Sequence, residues 1–334
     1  MATLLSLANI FAIAEETVIG AGKATSWENT DVVTLNADSS MSPATESIER
    51  NLLNSSFLSC KSLTGSSSTS GSLNAEIGIQ TTTGLEKGKL KGHLLWKNGL
   101  GKYVSAGADV SVANQISAVP DAILNPSTHD LYTLSKPSDA RTSMVIREYL
   151  GTNVCLEHLG VFVESVTITL ASGQIAQVGF SVAGVDYATP TGQTVLTNLG
   201  CGSTPFVVKQ ITMKKGGTTI HAQDVSITIS NTLNDRQAVT SNGTSDKVLT
   251  NKSIEISYSI DMEDLSAYTD LKANTEAELY IELVNGTENM RIYIPAMNYT
   301  AVDKSDDGGL LSLSITAKAN PDADGEAIYI ATKK

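Results

Sequence analysis

Two stretches, SLNAEIGIQ at residues 72–80 and SIEISYSID at residues 253–261, decide how the chain reads. In the first, Leu73, Ala75, Ile77 and Ile79 alternate with Asn74, Glu76 and Gln80. A period of two puts one face in a core and the other in water, which is the signature of a half-buried strand. The second stretch stands at a matching point further along. Each precedes a short helical pattern: Leu90, Leu94 and Leu95 stopped by Gly99 in one case, Leu265, Tyr268 and Leu271 in the other. Several strands follow each helix, so an internal duplication is one reading of the order.

Working outward, strands are expected at 31–35, 143–149, 154–156, 162–170 and 174–183, the last two joined by Ala171-Ser172-Gly173 as a hairpin loop. Further strands are expected at 206–213, 218–221, 225–230, 276–284, 290–296, 310–317 and 327–331. Lys214 to Gly217 and Asn285-Gly286 supply hairpin turns. The Ser/Thr/Gly run 64–71 reads as an exposed loop, and 101–140, with Pro120, Pro126 and Pro137, as a long functional loop. Residues 184–205, rich in Gly and Pro, are the best linker. The expected organisation is therefore 1–188, a linker at 189–205, and 206–334.

The chain has 334 residues, with 41% hydrophobic and 17% charged residues and a net charge of −12. That is enough apolar material for a core and too acidic a balance for tight phosphate binding. Only 5 Phe and 2 Trp are present, against many small and β-branched residues, which favours strands and turns. Residues 4–14 are apolar, but no basic residue precedes them and Glu15-Glu16 follows, unlike a signal peptide. The segment either packs on its own domain or acts as an arm on a neighbouring copy. As an arm, residues 1–14 should be removable without unfolding the subunit. Cys60, Cys155 and Cys201 lack zinc-site spacing and read as free, mostly buried thiols.

No motif for chemistry is complete. Gly20-Ala21-Gly22-Lys23-Ala24 has Thr17 where a phosphate loop has its first glycine and Ala24 where it has Ser or Thr. Gly99-Leu100-Gly101 is followed by Val104, not a third glycine. His93, His129, His158 and His221 share no metal-pair spacing, and the acidic runs at Asp303 and Asp322 lack the closing Glu of a calcium loop. No residue is singled out as catalytic, cofactor-binding or metal-ligating; no cofactor is expected and the chain does not read as an enzyme.

Glu16-Thr17 with Gly20, the strand around Val32-Val33, and Pro43 to Ile48-Glu49-Arg50 open a pattern. The 71–79 strand leading into Leu94-Leu95 continues it, and the 162–183 hairpin ending in Gly184, Ile292-Tyr293-Ile294-Pro295 and the 311–317 strand complete it. This pattern resembles the tail tube proteins of long-tailed bacteriophages. The resemblance implies a mainly β fold, a β-sandwich or partly rolled barrel with one flanking helix, here as two tandem tube-like domains. It implies six domains per ring, inner sheets joined into one barrel, and rings stacked through loops and N-terminal arms into the virion's hollow tail. The genome would pass through that tube without specific binding, and assembly would take place in the host bacterial cytoplasm. The implied partners are further copies of the chain (three per ring if the halves are duplicated, six if not), the tape measure and the terminator. Other readings are a baseplate hub, tail terminator or decoration protein, or a secreted β-sandwich binding module; a hydrolase with a spatially assembled site is a further one.

Overall fold

The computed structural model describes residues 9–50, 60–80, 88–106, 129–137, 139, 141–151, 154–196, 204–209, 211–238, 244–307, 310–323 and 325–333. The strands of the first half are β1 (Ile10–Glu15), β2 (Val32–Val33), β3 (Ser40–Arg50), β4 (Cys60–Glu76), β5 (Gly101–Val104), β6 (Asp130–Leu134), β7 (Met144–Gly151), β8 (Val154–Ala171), β9 (Gln177–Gly184) and β10 (Asp186–Ala188). Those of the second are β11 (Ile211–Lys215), β12 (Thr218–Thr219), β13 (Ala222–Gln237), β14 (Thr244–Asp261), β15 (Ala277–Asn285), β16 (Glu288–Asp307), β17 (Leu310–Asn320) and β18 (Tyr329–Lys333). Two helices, α1 (His93–Leu100) and α2 (Ser266–Ala273), each follow a long hairpin. The fold is mainly β and antiparallel throughout its named ladders.

The same scheme of pairings occurs twice. β1 pairs with β2 and β7, and β11 with β12 and β15. The long hairpin β3–β4 lies against β9, and β13–β14 against β17. β8 is flanked by β7 and β10 along its first part and by β9 beyond; β16 is flanked by β15 and β18, then by β17. Irregularities recur at matching points. The register shifts between Val163 and Ser165 on β8 and between Tyr299 and Ala301 on β16. It also shifts between Met144 and Ile146 on β7 and between Ala277 and Leu279 on β15. Bulges redirect a strand by one residue, so their recurrence fixes the correspondence residue by residue. Leu73 thereby matches Tyr258, as their partners Phe180 and Ile315 show, rather than Ile254 as the two opening stretches suggest when laid side by side.

Alternation explains the core. Leu73, Ala75, Ile77, Val166, Ile168, Val178, Phe180, Ile227, Ile256 and Ile315 are all buried in one cluster that runs through both halves. α1 covers it with Leu95, Trp96 and Leu100, and Trp96 stands edge-on to Phe180 with centroids 5.4 Å apart. The helix ends at Gly101, whose φ of 101° suits glycine; the expected stop, Gly99, lies inside the helix.

Several expectations change. Residues 64–71 are not a loop but part of β4, because β3 supplies ladder partners along the run and β9 joins on the other side from Thr69. The 101–140 segment begins and ends in paired strands, β5 and β6, and 107–128 lies outside the described residues. Residues 154–156 and 162–170 are one strand, β8. The 31–35 strand is reduced to β2. The 184–205 linker contains β10, and Cys201 lies outside the described residues. Ile10–Glu15 is not detachable: β1 lies between β2 and β7 and buries Phe11 and Ile13, so loss of residues 1–14 removes core. No described helix is long and apolar enough to cross a membrane.

Candidate assembly edges and polar sheet face

The near-miss phosphate loop has a structural answer. Gly20 and Gly22, with φ of 75° and 76°, turn their N–H groups inward as a nest would for a phosphate. The anion there is Glu16, which is buried. Its carboxylate accepts from Gly20 N–H (3.0 Å), Gly22 N–H (3.1 Å), Gly160 N–H (3.1 Å) and the Ser143 hydroxyl (2.6 Å). The nest staples the β1 exit to the middle of β8, and its N–H groups already have the Glu16 carboxylate as acceptor.

The histidines are dispersed as well. His93 is buried against Tyr132, whose hydroxyl is 2.8 Å from Nδ1, and burial, with Lys89 and Lys97 nearby, pulls its pKa down to about 3. His158 Nδ1 lies 2.6 Å from the Thr69 hydroxyl, His129 is buried beside β6, and His221 is exposed. Among the described residues no His, Cys, Asp or Glu cluster could hold a metal. Cys155 is buried and Cys60 partly so. Asp303 lies in β16, while Asp322 accepts from the Glu326 N–H and the Tyr329 hydroxyl in a turn.

What the strands do bring together is a sheet whose two ends pair with no other described strand. Its order is β3-β4-β9-β8-β13-β14-β17-β16, and the halves meet where β13 pairs with β8 from Asp224↔Ala171 to Ser230↔Ser165. This junction is locked by side chains. Asn231 Nδ2 donates to Gly99 C=O (2.9 Å) and Val163 C=O (3.0 Å), and Asn98 accepts from Val163 N–H (2.8 Å). Lys252 donates to the Leu100 carbonyl at the end of α1. Burial, then the nearby Arg141, lower the Lys252 pKa to about 7.

No described strand pairs with the outer edge of β3 or with the outer edge of β16 beyond Tyr299. Asn36 N–H donates to Asn74 C=O, so Asn74, Ser72 and Ser70 turn their backbone groups towards β3, where Ser40 and Ser42 meet them. Met41 and Pro43 therefore present theirs outward. Pro43 costs the β3–β4 ladder nothing, since its nitrogen faces the open side, where an edge strand tolerates proline. Likewise Met262 N–H donates to Leu311 C=O, and alternation from there turns Val302 and Lys304 of β16 outward.

The face of this sheet away from the helices is a hydroxyl carpet. It carries Ser72 and Asn74 on β4, Ser165, Thr167 and Thr169 on β8, Ser226, Thr228 and Ser230 on β13, Ser257 and Ser259 on β14, and Ser314 and Thr316 on β17. Asp224, Glu255 and Asp303 are exposed among them, and Lys318 stands directly opposite Glu255.

A sequence model of the phage tail tube protein family matches residues 7–327. The chain belongs to that family, a family of structural proteins rather than enzymes, located in the virion tail. A single match runs through both halves of the pairing scheme. No curated protein sequence matches the chain.

Proposed function

We propose that the chain is a two-domain tube subunit, divided at 1–188 and 206–334, that closes into three-chain rings and stacks into the tail tube. One observation carries this reading. The halves join through β8 and β13, and the two strands left over, β3 and β16, are the pairing-scheme counterparts of β13 and β8. A head-to-tail contact that repeats the internal junction gives a ring if the rotation closes. Carrying the internal register across pairs Met41 with Lys304 and Pro43 with Val302 of the next chain. Outward-facing backbone groups then meet outward-facing groups, as a ladder requires.

Size supports three chains. Each contributes the eight strands from β3 to β16. Three give a barrel of 24 strands, which at about 4.8 Å per strand is about 115 Å round and nearly 40 Å across before strand tilt widens it. That admits a DNA duplex with room for side chains. The hydroxyl carpet then lines the lumen. It offers phosphates no basic cluster, and the exposed carboxylates repel them. The tape measure and the terminator are the further partners, assembly takes place in the host cytoplasm, and the genome is delivered through the lumen without chemistry on the chain. Sedimentation and electron microscopy of the purified protein test this: stacked rings of three chains are expected, and a monomer at all concentrations, even with tail-assembly partners present, would overturn it.

A further inference from the structure

Among the described residues, the pairing scheme leaves one position filled in the first half and open in the second. After β4, Ile77 N–H donates to Ala176 C=O (2.9 Å), forming a slot beside the β8–β9 turn. The segment before β11 fills it. Phe206 N–H donates to Ile77 C=O (2.9 Å), Ala176 N–H to Phe206 C=O (2.9 Å), and Val208 N–H to Gln174 C=O (2.9 Å). Val207 bridges Ile175, Pro205 bridges Gly78, and Phe206 is fully buried. The second half forms the same slot: Met262 N–H donates to Leu311 C=O (2.8 Å) after β14. There, no described segment bridges it. Leu310 is 67% and Leu311 44% exposed, while Ala176, the counterpart of Leu311, is buried beneath Phe206.

We infer that residues 3–6 of the neighbouring chain fill this second slot. The occupant follows from the same correspondence. β1 and β11 hold equivalent places against β7 and β15, with Ile13 opposite Ile146 and Lys215 opposite Leu279. Counting back from Ile13 as from Lys215, Thr3, Leu4, Leu5 and Ser6 take the places of Pro205, Phe206, Val207 and Val208. Leu4 is thus the buried plug, its N–H donating to Met262 C=O and its C=O accepting from Leu311 N–H. Leu5 lies across from Leu310. In the first half the plug comes from the unit whose hairpin pairs with β8. In the ring it comes from the chain whose β3 pairs with β16, so this inference rests on the ring reading above. One neighbour contributes both a strand edge and an arm.

Two disulfide pairs separate the arm from the ring. Ser40→Cys with Ser305→Cys probes the β3–β16 ladder, and Leu5→Cys with Leu310→Cys probes the arm. Both are non-hydrogen-bonded antiparallel positions, with Cα atoms about 4.5 Å apart, within disulfide reach. Under mild oxidation each double variant should convert the monomer band into inter-chain species ending in a closed ring, while single variants should not. Linkage of the Ser40/Ser305 pair alone, or a Leu5/Leu310 bond within one chain, overturns the arm and leaves the ring. Failure of both overturns the ring and the arm with it. A second readout needs no new cysteine. The Leu311 amide should be protected from hydrogen exchange in assembled full-length protein and lose that protection when residues 1–8 are deleted; unchanged protection contradicts the inference.

Discussion

Lys304→Pro puts the ring junction under a direct test. Lys304 directs its backbone N–H away from β17, so proline there leaves the β16–β17 ladder its bonds and removes a donor from the open edge. In the inferred register that donor meets the Met41 carbonyl of the next chain. Losing it forfeits one ladder bond, a net of about 1 kcal/mol, and leaves a buried carbonyl unsatisfied at a further cost of roughly 1–3 kcal/mol. The junction is already one donor short at Pro43. A penalty of about 2–4 kcal/mol per contact corresponds to a factor of roughly 30 to 1,000 in association. It recurs at every junction of the ring, so the critical concentration for assembly should rise by at least that factor. The assay is sedimentation velocity over a concentration series, with far-UV circular dichroism and a thermal melt on the same samples. Lys304→Ala, which keeps the N–H, should assemble like the parent. A Lys304→Pro protein that melts like the parent and assembles at the parent's concentration would show that the outer edge of β16 does not pair with β3 of the next chain.

Other outcomes follow from the buried polar groups and the plug. Glu16→Ala should destabilise the subunit by several kcal/mol in urea unfolding, since three N–H groups and a buried hydroxyl lose their acceptor. Lys252 binds its proton more weakly folded than unfolded, so between about pH 7 and the unfolded value near 10.4 the unfolded chain holds more protons and this residue's contribution to stability rises with pH. The rise is of the order of 4 kcal/mol and flat below pH 7; Lys252→Met should abolish it, which denaturant melts of both proteins across that range will show. Phe206→Ala should cost about 3–5 kcal/mol, the range for emptying a fully buried aromatic site, as read by the shift in urea midpoint at constant m.

Much of the fold was legible because a half-buried strand writes itself as period two. Leu73, Ala75, Ile77 and Ile79 alternate in the sequence and are buried in the structure. The same periodicity is blind to shifts of two or four residues, which is why Leu73 seemed to match Ile254 rather than Tyr258. β4 was cut short because Ser, Thr and Gly at 64–71 look like loop; pairing with β3 along the run, and with the sequence-remote β9 from Thr69, overrides that local preference. β8 reads as two strands, 154–156 and 162–170, yet Gly160 between them lies inside one strand and its N–H serves Glu16. The signal for that nest was present as Gly20 and Gly22 four and six residues after an acid; compared with a phosphate loop, the run was only incomplete, because the acid's burial is invisible in sequence. The β8–β13 junction had no local signal at all. Ser165 and Ser230 meet only through the register of strands from opposite halves.

The most direct measurement is a cryo-electron microscopy map of the assembled protein that resolves strand order around the ring. The expected map has 24 strands from three chains, with β16 of each antiparallel to β3 of the next and Met41 level with Lys304. A ring in which either edge faces solvent, or in which the strands joining neighbouring chains are not these two, would contradict it.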